Sequence, residues 1–188
     1  MKRIVIFASG SGTNAENLIE IFHNRENASV IQVLTNNPRA KVLDRAKKHK
    51  VSALSFNKIA FYETDDVLNI LQNSKPDLIV LAGFLWMFPK KILNQFPNKV
   101  INVHPALLPK YGGKGMYGMN VHTAIVANKE TETGITIHYV NEHYDEGAII
   151  FQSKCAVLET DSNQDIADKI HELEMEHFPK VVAQLLNK

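Results

Sequence analysis

The clearest chemical signal in this chain is a pair of polar side chains set in an apolar stretch, Val100-Ile101-Asn102-Val103-His104-Pro105. Asn102 and His104 are two residues apart, so on a strand they share one face. Pro105 cannot donate to a sheet ladder and biases His104 towards an extended shape, which ends the strand there. An amide beside an imidazole can hydrogen-bond an oxygen that becomes negative during a reaction. Asp145, in the turn Tyr144-Asp145-Glu146-Gly147, offers a carboxylate. If that turn docks beside the strand, its charge favours the imidazolium form of His104 and raises its pKa. His138 lies on the less apolar side of a run ending close to this turn and is a further candidate. None of these groups is a strong nucleophile. They suit direct attack of one substrate on another, with the protein placing the reactants and stabilising charge. There is no Gly-x-Ser-x-Gly elbow, and Cys155 sits mid-strand with no evident partner, so an acyl-enzyme route has no support.

A second constellation lies near the N-terminus. The run from Arg3 to Ala8 is apolar and rich in β-branched residues, as in a strand buried on both faces. Ser9-Gly10-Ser11-Gly12-Thr13-Asn14 follows, then a helix with Leu18, Ile19 and Phe22 on one side. Strand, small-residue turn and helix together present backbone N–H groups to an anion. The turn is neither a Walker A loop nor a G-x-G-x-x-G fingerprint, since position 15 is Ala. It fits a small phosphate monoester, or simply a tight turn that needs glycine. Phe84-Leu85-Trp86-Met87-Phe88 reads either as core or as one wall of a slot for a flat aromatic ligand. His171, Glu174 and His177 are spaced three apart on the last helix; such a trio reads as a solvated face rather than a metal site.

The elements that must position these groups alternate. Strands are expected at Arg3–Ala8, Ser29–Leu34, Val51–Phe56, Asp77–Ala82, Lys99–Val103, Thr133–Val140 and Ala148–Val157. Helices are expected at 15–22, 39–50, 59–73, 89–96, from Asn120 as a cap, and from Asp161 as a cap with Gln164 at the capping-box position. Pro179 suggests a kink in the last helix. This pattern predicts an α/β protein with a Rossmann-like three-layer fold: a mostly parallel twisted sheet with an antiparallel strand towards the C-terminal end. Between Pro105 and Asn120 runs a long loop with Gly112, Gly113, Gly115 and Gly118, of the kind that is usually functional or mobile.

Composition narrows the partners. The chain has 188 residues, 45% hydrophobic and 22% charged, with net charge +1, which suits one domain and no nucleic-acid surface. The basic cluster Arg39, Lys41, Arg45, Lys47, Lys48 and Lys50 reads as a solvated helical face. A single cysteine fits a reducing cytoplasm, and the first apolar run is too short for a membrane span. The expectation is a cytoplasmic, soluble protein, monomer or homodimer, acting on small molecules.

Two motifs carry a family resemblance. Asn102-Val103-His104-Pro105-Ala106-Leu107-Leu108-Pro109 resembles the Asn-x-His-Pro-(Ser/Ala)-Leu-Leu-Pro motif of the formyltetrahydrofolate-dependent formyltransferases. The run from Gly134 to Val140, continuing to Asp145-Glu146-Gly147, resembles the second signature of that family. Among its members, the turn Ser9–Asn14 and the chain length look most like those that formylate glycinamide ribonucleotide in purine synthesis. The resemblance spans essentially residues 1–188, read as a single formyltransferase domain. It implies 10-formyltetrahydrofolate as co-substrate and no metal. It implies Asn102, His104 and Asp145 as the catalytic trio, with His138 in support. Gly12, Thr13 and Asn14 would hold the phosphate and Glu174 the ribose, with Asn102 also on the substrate side. Leu85, Trp86, Met87 and Phe88, with Asn141, Glu142, His143, Tyr144 and Asp145, would wall the pteridine slot. The loop 112–120 is longer than the family pattern by about half a dozen residues and can close as a lid. Trp86 stands where the family often has a basic residue; Lys58 can supply that charge. His122 receives no role. Two alternatives stay open: a formyltransferase acting on another amine, and a nucleotide-binding domain without catalysis.

Overall fold

A computed structural model describes residues 1–23 and 27–187. Seven strands form one sheet: β1 (Lys2–Phe7), β2 (Ala28–Thr35), β3 (Ser52–Ser55), β4 (Leu78–Leu81), β5 (Val100–His104), β6 (Glu132–Tyr139) and β7 (Ile149–Ala156). Their order is β3-β2-β1-β4-β5-β6-β7. The first five are parallel; β6 runs antiparallel to β5 and β7 antiparallel to β6. This is the expected α/β architecture with its antiparallel C-terminal addition. The helices are α1 (Thr13–His23), α2 (Val42–Lys48), α3 (Asp66–Ser74), α4 (Lys90–Gln95), α5 (Met119–Ala127) and α6 (Asn163–Leu186).

The period-2 alternation of β1 divides the interior into two cores. Ile4 and Ile6 pack with Leu18 and Ile19 of α1, Val42 of α2, Ile125 of α5 and Ile166 and Ile170 of α6. Val5 and Phe7 face the other side, against Val67 and Leu71 of α3 and Ile92 of α4. Both faces of the central strands β1 and β4 are thus covered, which is why these two read as continuous apolar runs.

Four expectations need correction. The helix over 59–73 splits into a π-helical turn, Ile59–Glu63, and α3, with Thr64 extended between them. The split lets Phe61 enter an aromatic cluster with Phe7, Phe56, Phe84 and Phe88, at ring separations of 4.9 to 6.1 Å. The last helix is capped by Ser162, not Asp161: the Ser162 hydroxyl accepts from Asp165 N while the Asp165 carboxylate accepts from Ser162 N. Asp161 instead accepts from Leu158 N and pairs with Lys169. α5 begins at Met119 with Gly118 at its cap, and the Asn120 amide donates to Gly115 O. The helix expected over 39–50 is confined to Val42–Lys48. α6 runs on through a buried Pro179.

The β6–β7 pairing leaves no room at Gly134, where a Cβ would lie 1.9 Å from Ser153 O and 2.8 Å from a Leu107 methyl. Gly134→Ala should therefore cost about 2 kcal/mol or more and lower Tm by roughly 4–8 °C in a circular-dichroism melt. An unchanged Tm would mean that the two strands separate at this point without cost.

Candidate active site

The sheet order reverses around β1, with β2 on one side and β4 on the other. Connections after these strands leave in opposite directions and open a crevice at their carboxyl ends. A cleft of about 690 Å³ lies there. It is lined by 9–14, 82–85, 102–105 and 113–118, with His122, Tyr144, Asp145, Ile170, His171 and Glu174. Ser9 joins two of these segments: its N–H donates to Gly83 O at 3.0 Å, and its hydroxyl accepts from Leu85 N at 2.9 Å.

The polar centre sits at the end of β5. Pairing places Asn102 opposite His138 and His104 opposite Thr136. The buried Thr136 hydroxyl donates to Ala106 O at 2.7 Å and accepts from Leu108 N at 3.0 Å, which fixes the chain leaving His104. His104 is 3% exposed and His138 2%. His104 Nε2 lies 2.8 Å from Tyr111 O, so that nitrogen carries a proton and donates it to the carbonyl. His104 Nδ1 faces Asp145 Oδ2 at 3.5 Å. His138 Nδ1 donates to Tyr139 O at 2.8 Å, which leaves Nε2 as an acceptor for the Asn102 amide at 3.1 Å. One N–H of Asn102 is thereby held and the other stays available to a ligand. Asp145 Oδ2 also accepts from Gly113 N at 3.0 Å, and Oδ1 lies 3.6 Å from His138 Nε2. Asp145 adopts a left-handed backbone, φ 58, which an aspartate tolerates better than most residues.

Burial holds the His104 pKa below its ordinary value. The Asp145 carboxylate and the Tyr111 carbonyl pull upward without prevailing. The expected upward pull of Asp145 on the ring is present, but burial outweighs it. Its Nδ1 nonetheless points at a carboxylate, so a second proton arriving there meets an acceptor already in place. Burial also works against ionisation of Asp145, but the neighbouring imidazoles of His138 and His104 and the Gly113 N–H outweigh it, so its pKa is lowered.

At the far end of the cleft lies the turn 9–14. The Asn14 amide donates to Glu174 Oε2 at 2.7 Å, joining α1 to α6. His171 Nδ1 is 3.9 Å from the same oxygen, and that carboxylate raises the His171 pKa. Asn14 Oδ1 and His122 Nδ1 are buried here without a hydrogen-bond partner among the described residues. The trio on the last helix does not converge: the His177 ring is bonded to the Ser153 hydroxyl at 3.2 Å and lies beside Phe151. Among the described residues one group with metal-ligand geometry exists, Glu16, Glu20 and His49. Glu16 there is already held by Arg45 and Lys48.

The structure separates the residues expected to wall a slot. Leu85, Tyr144 and Asp145 line the cleft. Phe88 is buried in the second core against Phe7, and Trp86 packs on Phe56, Phe61 and Tyr62 with Lys58 over its ring. Met87 is partly exposed, and its carbonyl accepts from the Tyr62 hydroxyl. Asn141, Glu142 and His143 lie outside the cleft lining; Glu142 pairs with Lys90 at 2.8 Å, bridging the two expected walls. Sequence reasoning missed His122, His171, Thr136 and the Tyr111 carbonyl. His171 carried a signal in its spacing from Glu174, and Thr136 in its place opposite His104. The Tyr111 carbonyl carried none, because backbone direction in a loop leaves no trace in residue type.

Residues 2–182 match the formyl transferase family, and the chain belongs to that family. The named relatives narrow the class. The chain is 34% identical to the phosphoribosylglycinamide formyltransferase of Haemophilus influenzae, covering 97% of this chain and 86% of that one. It is 33% identical to the Bacillus subtilis enzyme of the same name, covering 99% and 95%. A chloroplastic relative from Arabidopsis thaliana is 32% identical, and the chain spans 65% of its length. Among solved structures, the phosphoribosylglycinamide formyltransferase of Bacillus halodurans superposes with a TM-score of 0.88 at 32% identity, over all of this chain and 96% of that one. Glycinamide ribonucleotide transformylase 1 of Geobacillus kaustophilus gives 0.89 at 31%, over 99% of each. No helix among the described residues is long and apolar enough to cross a membrane.

The cluster behind the turn is acid-sensitive. Lys48, with His49 and Arg45, holds the Glu16 carboxyl down to about 2, against the opposing effect of burial, from an ordinary 4.5. The folded pKa is the lower one, so the stability it contributes is present above pH 4.5 and is lost as pH falls towards 2. In urea titrations Glu16→Gln should be less stable than the parent at pH 6, with the gap closing near pH 2. A gap independent of pH would contradict the assignment.

Proposed function

We propose that this protein transfers the formyl group of 10-formyltetrahydrofolate to the primary amine of 5'-phosphoribosylglycinamide. The observation that carries the reading is that Asn102, His104 and Asp145 share one cleft with the amide-lined turn 10–14. The names of the full-length bacterial relatives support the same substrate pair. In this reading Gly12, Thr13 and Asn14 hold the phosphate and Glu174 the ribose. The pteridine enters beside Leu85 and Tyr144. The segments 85–88 and 141–145 form the two rims, tied outside by Lys90 and Glu142. Phe88 and Trp86 support their rim from the core side.

The neutral amine attacks the formyl carbon, and the carbonyl oxygen becomes negative. The free N–H of Asn102 donates to that oxygen. The proton shed by the attacking nitrogen passes to His104 Nδ1, where the Asp145 carboxylate accepts the new N–H. The resulting imidazolium stabilises the tetrahedral intermediate by its charge. The intermediate collapses by breaking the bond from carbon to N10, and the same proton returns to N10 of the departing tetrahydrofolate. One proton leaves the amine and one arrives at N10, so the balance closes with no covalent enzyme intermediate and no group beyond the two substrates.

The test is turnover of both substrates, followed by tetrahydrofolate release. His104→Ala and Asp145→Asn should each lower kcat by roughly 10²–10³-fold while moving either KM little; Asn keeps the tolerance for a left-handed backbone. Parental kcat in either variant would overturn the proposal, as would formylation of a different amine only. Because the ring acts as a proton acceptor with a lowered pKa, kcat/KM should fall on the acid side with a limb below pH 6.5. Loss of kcat/KM on raising pH through 6.5 would instead require a ring that begins the reaction charged.

A further inference from the structure

We propose that Arg45, on α2 behind the turn, is the positioning residue that converts the turn into an anion site; the proposal rests on the phosphate reading above. Three successive carbonyls of the turn are held from outside the cleft. Ser9 O accepts from the Asn37 amide at 3.4 Å, Gly10 O from Val42 N at 3.2 Å, and Ser11 O from Arg45 Nε at 2.8 Å. In a planar trans peptide the C=O of one residue and the N–H of the next point in opposite directions. Fastening the carbonyls of 9, 10 and 11 to the α2 side therefore turns the N–H groups of Gly10, Ser11 and Gly12 towards the cleft. None of these three donates a hydrogen bond to a described residue. Three aligned and unspent donors ahead of the first turn of α1 form a concave anion seat.

α2 can reach the turn because position 12 has no side chain. A Cβ on Gly12 would lie 2.4 Å from a Val42 methyl, and its φ is +76. Arg45 Nη2 also reaches the Ser11 hydroxyl at 3.5 Å, and its Nη1 pairs with Glu16, which takes Lys48 at 3.0 Å and His49 at 3.1 Å as well. Arg45 does not line the cleft, so it acts through the Ser11–Gly12 peptide and not by touching substrate. Of the three fasteners, Val42 uses only its backbone and the Asn37 contact is long, so Arg45 is the one that substitution can release.

The experiment compares the phosphorylated amine with the corresponding riboside, which lacks the phosphate. With Arg45→Ala, and in parallel Arg45→Met to keep the bulk, KM for the phosphorylated amine should rise about tenfold. Inhibition by inorganic phosphate should weaken by the same factor. kcat, KM for 10-formyltetrahydrofolate, and kcat/KM for the riboside should stay at parental values. Lys48→Gln removes the same unit charge from Glu16 without touching the turn, and should leave the phosphate preference within about twofold. The inference is overturned if both Arg45 variants keep the parental phosphate preference. It is also overturned if Lys48→Gln matches them, or if riboside turnover falls in step, since charge or general disorder would then be the cause. A parental enzyme that does not prefer the phosphorylated amine would remove the phosphate reading itself, and this inference with it.

Discussion

The arrangement on which the site depends is a buried imidazole held between two acceptors, a loop carbonyl on one nitrogen and a carboxylate facing the other. The carbonyl of Tyr111 decides which nitrogen keeps its proton at rest, and Asp145 decides where a second proton can go. Burial opposes the charge that these acceptors favour, and it is the larger influence. The ring's pKa is thus lowered, although both its nitrogens face acceptors that favour its charged form. In a site of low dielectric that charge has most effect when it forms beside developing negative charge.

Each partner of the ring comes from a different element. Asp145 is carried by the turn between β6 and β7 and is steadied by the Gly113 amide from the glycine-rich loop. Tyr111 is steadied at its hydroxyl, which donates to Glu130 and accepts from Asn128, both beyond α5. Antiparallel β6 brings His138 across from Asn102 and fixes the amide orientation through its own tautomer. The antiparallel addition therefore helps build the polar centre of the cleft: a parallel strand there would need a long crossover and could not return the 141–147 turn to the end of β5.

Much of this was legible in the sequence. The pair Asn102 and His104 announced itself by a spacing of two inside an apolar run that Pro105 ends, and the turn 9–14 by its glycines before an amphipathic helix. The two-sided burial of β1 and β4 showed in unbroken apolar stretches. The less apolar side of β6 was also visible, although its Thr136 proves fully buried and engaged with the chain after His104. The protonation state of His104 was not visible, because desolvation is a property of the assembled neighbours. Trp86, Met87 and Phe88 read as a ligand wall because apolar residues at a strand's end suit either a slot or a core. For Phe88 the position of Phe7, edge-on at 5.1 Å, decides for the core, whereas Met87 stays exposed. The capping of α6 was off by one residue, since Asp161, Ser162, Gln164 and Asp165 allow two boxes in adjacent registers.

The hydroxyl of Ser9 gives the two halves of the cleft a common datum. Through one bond to the amide of Leu85 it ties the turn at one end to the rim at the other. With the phosphate at the turn and the pteridine at the rim, as proposed, the span between them is set by the spacing of neighbouring strands β1 and β4. The cleft then acts as a gauge of molecular length. An acceptor whose reactive nitrogen lies one or two bonds nearer to or farther from its anionic group would dock at both ends yet miss the carbon it must reach.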